Sequence, residues 1–176
     1  MTYYDDIYDH AIEEYYLITT KEANEIGVPT IEIVKLAKRG RLEHLGNGLY
    51  RLSRFVPEEE DPYAIAVKRI GGDAILYGES VLALLSLCPT NPSKIFVGTS
   101  RRIRKKLPDD LVIMRLSPNS RHVLYKGIPC QPVSEAIVSC KESIMPERLV
   151  TAASQAFEQG YLTPTEFEET KRRLSC

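Results

Sequence analysis

The chain has 176 residues and a formal net charge of −1 at neutral pH. This length suggests one or two compact domains, and the balanced charge excludes a global attraction to nucleic acid or to an anionic membrane. No apolar run approaches the ~20 residues of a membrane span, and the acidic N-terminus lacks the apolar core of a secretory signal. We therefore expect a cytoplasmic protein with no membrane partner.

Two helices are predicted at the N-terminus. Over residues 3–15, apolar side chains recur at the spacing of one helix face, and acidic side chains occupy the other. A short second helix is predicted after Thr19, because Thr19 and Glu22 have the spacing of a capping box. Gly27 is the residue type that commonly follows the end of a helix.

A third helix and a β-hairpin follow. The helix is predicted over 29–39, because a proline suits the first helical position and Gly40 suits the end. Residues 41–45 and 49–52 alternate like strands, and Gly46-Asn47-Gly48 between them favours a tight turn. Three helices followed by a hairpin are the order of a winged helix-turn-helix, which places its recognition helix in the major groove of DNA.

Charge within this segment is strongly asymmetric. Residues 1–34 hold eight acidic side chains and one lysine, whereas residues 35–54 hold six basic side chains and one glutamate. The basic charge therefore falls on the predicted recognition helix and wing, where phosphates would lie. The alternative is that these cations only solvate a helix.

The predicted DNA contacts follow from this pattern. On a helical wheel Lys35 and Arg39 share an exposed face with Glu32, which predicts base contacts, while Val34 is predicted to face the core with its apolar neighbours. The other candidates are residues predicted to contact the DNA backbone from the helix starts, from the end of the third helix and from the wing. They are Thr20, Lys21, Thr30, Lys38, Arg41, Asn47, Arg51 and Arg54.

Residues 57–62 form a proline-bracketed acidic run that predicts a linker between a DNA-binding domain, 1–56, and a second domain, 63–176. The second domain is expected to be mixed, so the predicted fold class is α+β. Helices are predicted over 63–70, 79–87 (ended before Pro89), 134–139, 146–159 and 164–174. Strands are predicted over 94–98, 111–115, 122–125 and 127–131, the last at a sheet edge because it contains Pro129.

Evidence for chemistry in the second domain is sparse. No P-loop, dinucleotide-binding glycine pattern, zinc-protease motif or nucleophile elbow occurs in the sequence. We therefore expect no enzymatic activity, no metal and no cofactor. The densest basic cluster could bind an acidic protein or nucleic acid, or it could be a solubilising loop. Its members are Arg101, Arg102, Arg104, Lys105 and Lys106.

The first 55 residues resemble the N-terminal domain of the AbiEi-type antitoxin family. The resemblance is carried by an acidic first helix, the segment TTKEA at 19–23, LAKRG at 36–40 and GLYRL at 48–52. Residues 63–176 resemble the family more loosely, through KIFVGT at 94–99 and the basic segment that follows.

The resemblance implies an antitoxin of a type IV toxin–antitoxin pair. Such a protein would repress its own operon by binding operator DNA through the winged helix, and it would counteract a nucleotidyltransferase-like toxin. The alternative is a transcription regulator whose second domain binds a small molecule or has an unrecognised enzymatic role. A ligand-sized polar pocket in residues 63–176 would favour that alternative.

Overall fold

The computed structural model describes residues 1–88 and 92–176. The chain divides into two compact units, Met1–Gly71 and Gly72–Cys176. Helices and two small sheets occur together, which confirms the predicted mixed α+β class. Pro89, the predicted stop of a helix, lies outside the described residues.

The first unit has four helices and a three-stranded antiparallel sheet in the order β1-β3-β2. A single apolar core joins the first three helices and the sheet, with Ile7, Ile18 and Ile33 buried. The elements in chain order are α1 (Tyr3–Ala11), β1 (Leu17–Thr19), α2 (Thr20–Glu25), α3 (Thr30–Lys38), β2 (Leu42–Gly46), β3 (Leu49–Leu52) and α4 (Asp61–Ile70).

The first helix is shorter than the sequence predicts, and a strand follows it that the sequence did not predict. α1 ends at Ala11, and Tyr15 and Tyr16 adopt positive φ angles of 58° and 62°. The chain thus turns into β1, where Leu17 lies opposite Arg51 of β3. A three-residue strand is too short to show a recognisable alternation, so only its pairing with β3 defines it.

The start of α2 and the turn of the hairpin follow the predicted signals, whereas α3 begins at Thr30 with Pro29 as its N-cap. The Thr19 hydroxyl accepts from the Glu22 N–H at 3.1 Å, and the Glu22 carboxylate accepts from the Thr19 N–H at 2.9 Å, which confirms the capping box. Asn47 and Gly48 have φ angles of 55° and 71° between β2 and β3. These two positive values are what a type I′ turn requires, so the tight hairpin is confirmed.

α4 belongs to the first unit, although the sequence analysis places most of it in the second domain. Lys68 Nζ lies 3.1 Å from Glu14 Oε2 and 2.6 Å from Glu22 Oε1. Arg69 Nη1 donates to the Leu45 carbonyl oxygen at 2.8 Å. These contacts join α4 to the helices and to the hairpin, so the boundary between the units falls after α4.

The described residues of the second unit form a five-stranded mixed sheet in the order β6-β5-β4-β8-β7, together with four helices. β5 and β6 are parallel, β4 is antiparallel to β5 and parallel to β8, and β7 and β8 form a hairpin. Its elements are β4 (Ile75–Leu76), α5 (Glu79–Leu84), β5 (Ile95–Thr99), β6 (Leu111–Arg115), β7 (Val123–Tyr125), β8 (Ile128–Cys130), α6 (Val133–Ser139), α7 (Pro146–Glu158) and α8 (Pro164–Leu174).

Two details of this sheet differ from the sequence predictions. β4 was not predicted, because two residues carry no periodicity. The prediction of an edge position for the strand at Pro129 is wrong, since β8 lies between β4 and β7. β4 pairs with β8 only through Leu76 and Cys130, so no residue of β4 is paired with the proline, which has no N–H to donate.

Candidate nucleic-acid interface

α3 has one face in the core and one in solvent. Ile33 is buried, with Leu36 and Ala37 packed beside it. The opposite face carries Ile31, Val34, Lys35 and Lys38, with Arg39 at the end of the helix. The expectation that Val34 faces inward is wrong, because its side chain is 38% exposed. The outward face therefore combines cations with two apolar side chains.

Ile31 is the residue of this face that the sequence analysis missed. It is 63% exposed, in the first turn of α3. Successive residues of an α-helix are 100° apart, so Ile31 lies on the side opposite Ile33 and between Lys35 and Lys38. A helical wheel centred on the core rather than on the charges would have identified it.

Glu32 and Lys35 form an ion pair on this helix. Lys35 Nζ lies 3.0 Å from Glu32 Oε1, with the lysine side chain 49% exposed. The glutamate carboxylate, the acidic group that the prediction placed on the DNA-contacting face, is thus neutralised by its neighbour. The exposed face of α3 consequently keeps a net positive charge, which comes from Lys38 and Arg39.

The starts of α2 and α3 have fewer unpaired groups than the sequence suggests. The N–H of Thr20, expected to be free for a phosphate, donates to the Gly48 carbonyl oxygen at 2.8 Å. The Thr30 hydroxyl lies 3.3 Å from Asn24 Oδ1. Lys21 is exposed. The structure therefore joins the start of α2 to the hairpin turn and leaves Lys21 the exposed cation at this helix start.

The hairpin turn is held by α4. Arg69 Nη1 lies 3.2 Å from Asn47 Oδ1 and also donates to the carbonyl oxygens of Leu45 and Gly46. Gly46 opposite Leu49 is the last residue pair before the turn, so the wing does not extend beyond the sheet. The turn is thus a rigid part of the first unit, and Arg69 places a further cation beside Asn47.

The three wing and junction arginines have different surroundings. Arg51 is only 16% exposed, lies 2.9 Å from Glu43 and stacks over the Phe55 ring at 3.9 Å. Arg41 stacks over the Tyr4 ring at 3.8 Å and remains exposed. Arg41 and Arg54 line a groove of about 1000 Å³ whose walls include Tyr4 and Phe55. Arg41 and Arg54 are thus accessible, whereas Arg51 is engaged within the hairpin.

Replacing Gly48 by valine should weaken DNA binding while the rest of the fold persists. Gly48 has φ +71°, and an added Cβ would lie 3.3 Å from Thr20 Oγ1. A β-branched residue at such an angle costs about 1–3 kcal/mol, and relief of the strain would move the hairpin away from α2. Fluorescence anisotropy with a labelled duplex measures affinity, and circular dichroism measures folding.

Gly160→Val is the matched control, because Gly160 has φ +84° with nothing near the added Cβ and lies in the second unit. It should carry a similar backbone cost and leave DNA affinity unchanged. Equal affinity of both variants and the parent chain would show that the hairpin has no part in binding DNA.

The basic cluster of the second unit lies in the segment between β5 and β6. All five of its side chains are exposed. Arg101 Nε lies 3.7 Å from Asp73 Oδ1. Hydrogen bonds from the Ser100 and Thr99 side chains, with the charge of Arg101 beside them, lower the pKa of Asp73 to about 2. Arg101 is therefore exposed but held beside Asp73, and the other exposed cations of the cluster are Arg102, Arg104, Lys105 and Lys106.

The described residues of the second unit offer little that suggests catalysis. Burial raises the pKa of Cys130 and of Cys140 to about 12, so both thiols are protonated at neutral pH. Two cavities of about 290 and 250 Å³ lie in this unit, at or below the usual lower size for a ligand pocket. No group of three or more potential metal ligands occurs among the described residues.

The family match of the chain lies within the first unit. Residues 5–53 match the family model described as "Transcriptional regulator, AbiEi antitoxin", which confirms the resemblance over those residues. No curated protein matches the sequence. The solved RV2827C protein from Mycobacterium tuberculosis is similar at 14% identity and TM-score 0.39, over 98% of this chain and 82% of that one.

No helix within residues 1–88 and 92–176 has the length and apolar character needed to cross a membrane.

Proposed function

We propose that this chain is a double-stranded-DNA-binding regulator that represses its own operon and acts as the antitoxin of a nucleotidyltransferase-like toxin in the cytoplasm. The observation that carries the proposal is the outward face of α3. It presents Lys35, Lys38 and Arg39 on a helix whose other face is fixed in the core. The family match over residues 5–53 supports the same function.

In this proposal α3 enters the major groove. Lys35 and Arg39 donate hydrogen bonds to base edges, since both side chains carry N–H donors and guanine N7 and O6 are acceptors. Lys38 and Arg41 bind phosphates and fix the register. Arg54 and the hairpin residue Asn47 meet the adjacent backbone, while Arg51 positions the hairpin through Glu43. Lys21 adds a phosphate contact from α2, and Thr20 and Thr30 orient the helix starts.

The antitoxin role is proposed for the second unit. We assign it no chemistry of its own and no cofactor, so it would counteract the toxin by binding it or its target. The basic cluster, whose segment is called the basic loop below, is the densest group of basic side chains in the sequence of this unit, with Arg102, Arg104, Lys105 and Lys106 exposed within five residues. Such a surface complements an acidic protein or a nucleic acid.

The DNA-binding part is tested with the full chain and DNA from upstream of its own gene. Specific binding should exceed binding to a scrambled duplex and should weaken steeply as salt rises, because phosphate contacts release counterions. A reporter controlled by that DNA should be repressed when the protein is present. Equal affinity for both duplexes would overturn the proposed repression.

Reversing the basic loop should abolish antitoxin action without unfolding the protein. The variant changes Arg102, Arg104, Lys105 and Lys106 to glutamate and keeps Arg101, which lies beside Asp73. Substitutions at exposed positions usually change stability by no more than about 0.5 kcal/mol. The readout is growth of cells that express the adjacent gene's product, at matched antitoxin level.

An Arg172→Glu/Arg173→Glu variant is the control for added negative charge, since both arginines are exposed on α8. It should rescue growth as the parent chain does. Full rescue by the loop variant would remove the loop from the mechanism. If the parent chain itself fails to rescue, the antitoxin proposal is wrong. The alternative, a ligand-binding regulator, gains no support from the two small cavities of the second unit.

A further inference from the structure

The centre of the outward face of α3 is apolar. Ile31 is 63% exposed and Val34 is 38% exposed. With Lys35 and Lys38 they occupy positions i, i+3, i+4 and i+7, which is one face of a helix. The core side of α3 is already filled by Ile33 and its neighbours. The exposure of Ile31 and Val34 therefore does not follow from a role in the core of this unit.

We propose that Ile31 and Val34 contact thymine methyl groups in the major groove, so that the protein selects DNA with thymine at the positions they face. This inference rests on the proposed DNA-binding function. The thymine C5-methyl is the apolar group that base pairs present in the major groove. Ile31 lies in the first turn of α3, and the N-terminal residues of a recognition helix are those that meet base edges.

The surroundings of the two side chains favour DNA over a second copy of the chain. Lys35 and Lys38 flank Ile31, and both are exposed. Two copies pairing through this face would bring four lysines together, and like charges juxtaposed across an interface cost free energy. A duplex instead offers phosphates to the lysines and methyl groups to the apolar side chains. Of these two partners, only DNA satisfies both kinds of group.

The contacts around the start of α3 support a fixed geometry. The Thr30 hydroxyl lies 3.3 Å from Asn24 Oδ1, which joins the first turn of α3 to α2. The carboxylate of Glu32 is paired with Lys35, so it does not repel the DNA beside Ile31. Ile31 has few side-chain rotamers because it is branched at Cβ. Fixing the Ile31 side chain against DNA therefore costs little conformational entropy.

The test uses duplexes that the full chain enriches from a random-sequence pool. The enriched consensus should contain thymine, and replacing the contacted thymine by uracil should weaken binding about fourfold, since only one methyl group is removed. 5-Bromouracil should restore affinity, because its bromine is close to a methyl group in size. In Ile31→Ala the thymine and uracil duplexes should bind equally at the position that Ile31 faces.

Val123→Ala is the matched control, because Val123 is 40% exposed and lies on β7 of the second unit. It should retain the fourfold preference for thymine.

Failure of the parent chain to enrich any duplex would overturn the proposed function. Enrichment with no effect of uracil, or an effect that persists in both Ile31→Ala and Val34→Ala, would overturn this inference alone. Loss of a concentration-dependent dimer in Ile31→Ala, with no effect of uracil, would assign the face to self-association.

Discussion

Replacing Lys35 and Arg39 together by alanine should weaken binding of the enriched duplex at least about 30-fold. Each contact to a base edge is worth about 1–3 kcal/mol, and a tenfold change corresponds to about 1.4 kcal/mol. Both residues lie on or beside the exposed face of α3, away from Ile33 in the core. The fold should therefore persist. Fluorescence anisotropy at several salt concentrations gives the affinity and its salt dependence.

The ion pair between Glu32 and Lys35 supplies an internal control. Alanine at Lys35 leaves the Glu32 carboxylate without its partner at 3.0 Å, so part of the loss would be repulsion of DNA. Adding Glu32→Gln to the Lys35→Ala/Arg39→Ala variant removes that repulsion and should restore part of the affinity. Arg172→Ala/Arg173→Ala removes two exposed cations from α8 and should change affinity little. Unchanged affinity in the Lys35→Ala/Arg39→Ala variant would end the assignment of α3 as the recognition helix.

Replacing Lys68 by methionine should destabilise the first unit by about 1.5–3 kcal/mol, the usual range for hydrogen bonds to charged groups. Lys68 is 18% exposed and bridges Glu14 and Glu22. Methionine keeps the apolar stem and removes the ammonium group, so the two carboxylates lose their shared partner. Amide hydrogen exchange of α1 and α2 in the full chain measures this change locally.

The same variant should alter the pH dependence of stability. Burial opposes ionisation of Glu22, but hydrogen bonds from Lys68 and Thr19 outweigh it, so the pKa of Glu22 lies below its ordinary value of 4.5. A lowered folded-state pKa contributes stability that is fully present above 4.5 and is lost as pH falls through the folded value. Lys68→Met removes one of the hydrogen bonds that lower this pKa. The stability of the variant should therefore fall less than that of the parent chain as the pH is lowered from 5.

Lys171→Met is the control for removing a paired lysine. Lys171 lies 3.2 Å from Glu168, and the side chains are 39% and 65% exposed. Such exposed pairs contribute about 0–1 kcal/mol, so hydrogen exchange in the first unit should not change. If Lys68→Met also leaves exchange unchanged, the bridge does not stabilise α4 against the helices it joins.

Local chemistry in the sequence determined the helix starts and the hairpin. The Thr19 and Glu22 pair identified a capping box that the structure contains, since the box is complete within four residues. Asn47 and Gly48 identified the turn because few residues adopt positive φ at low cost. The shift from acidic to basic side chains after residue 34 likewise needed no structure to be seen.

Tertiary structure alone decided which groups are accessible and which short segments are strands. β1 and β4 exist through pairing with distant strands, so two or three residues could not predict them. The sequence predicts that Arg51 is an exposed cation of the wing, but in the structure its side chain contacts Glu43 and Phe55. The outward position of Ile31 depends on the direction of the core, which is fixed by side chains from several elements packed together. Charge and helix capping depend on residues that are close in sequence. The burial of a side chain and its ion pairs depend on residues that are far apart in sequence and come into contact only in the folded chain.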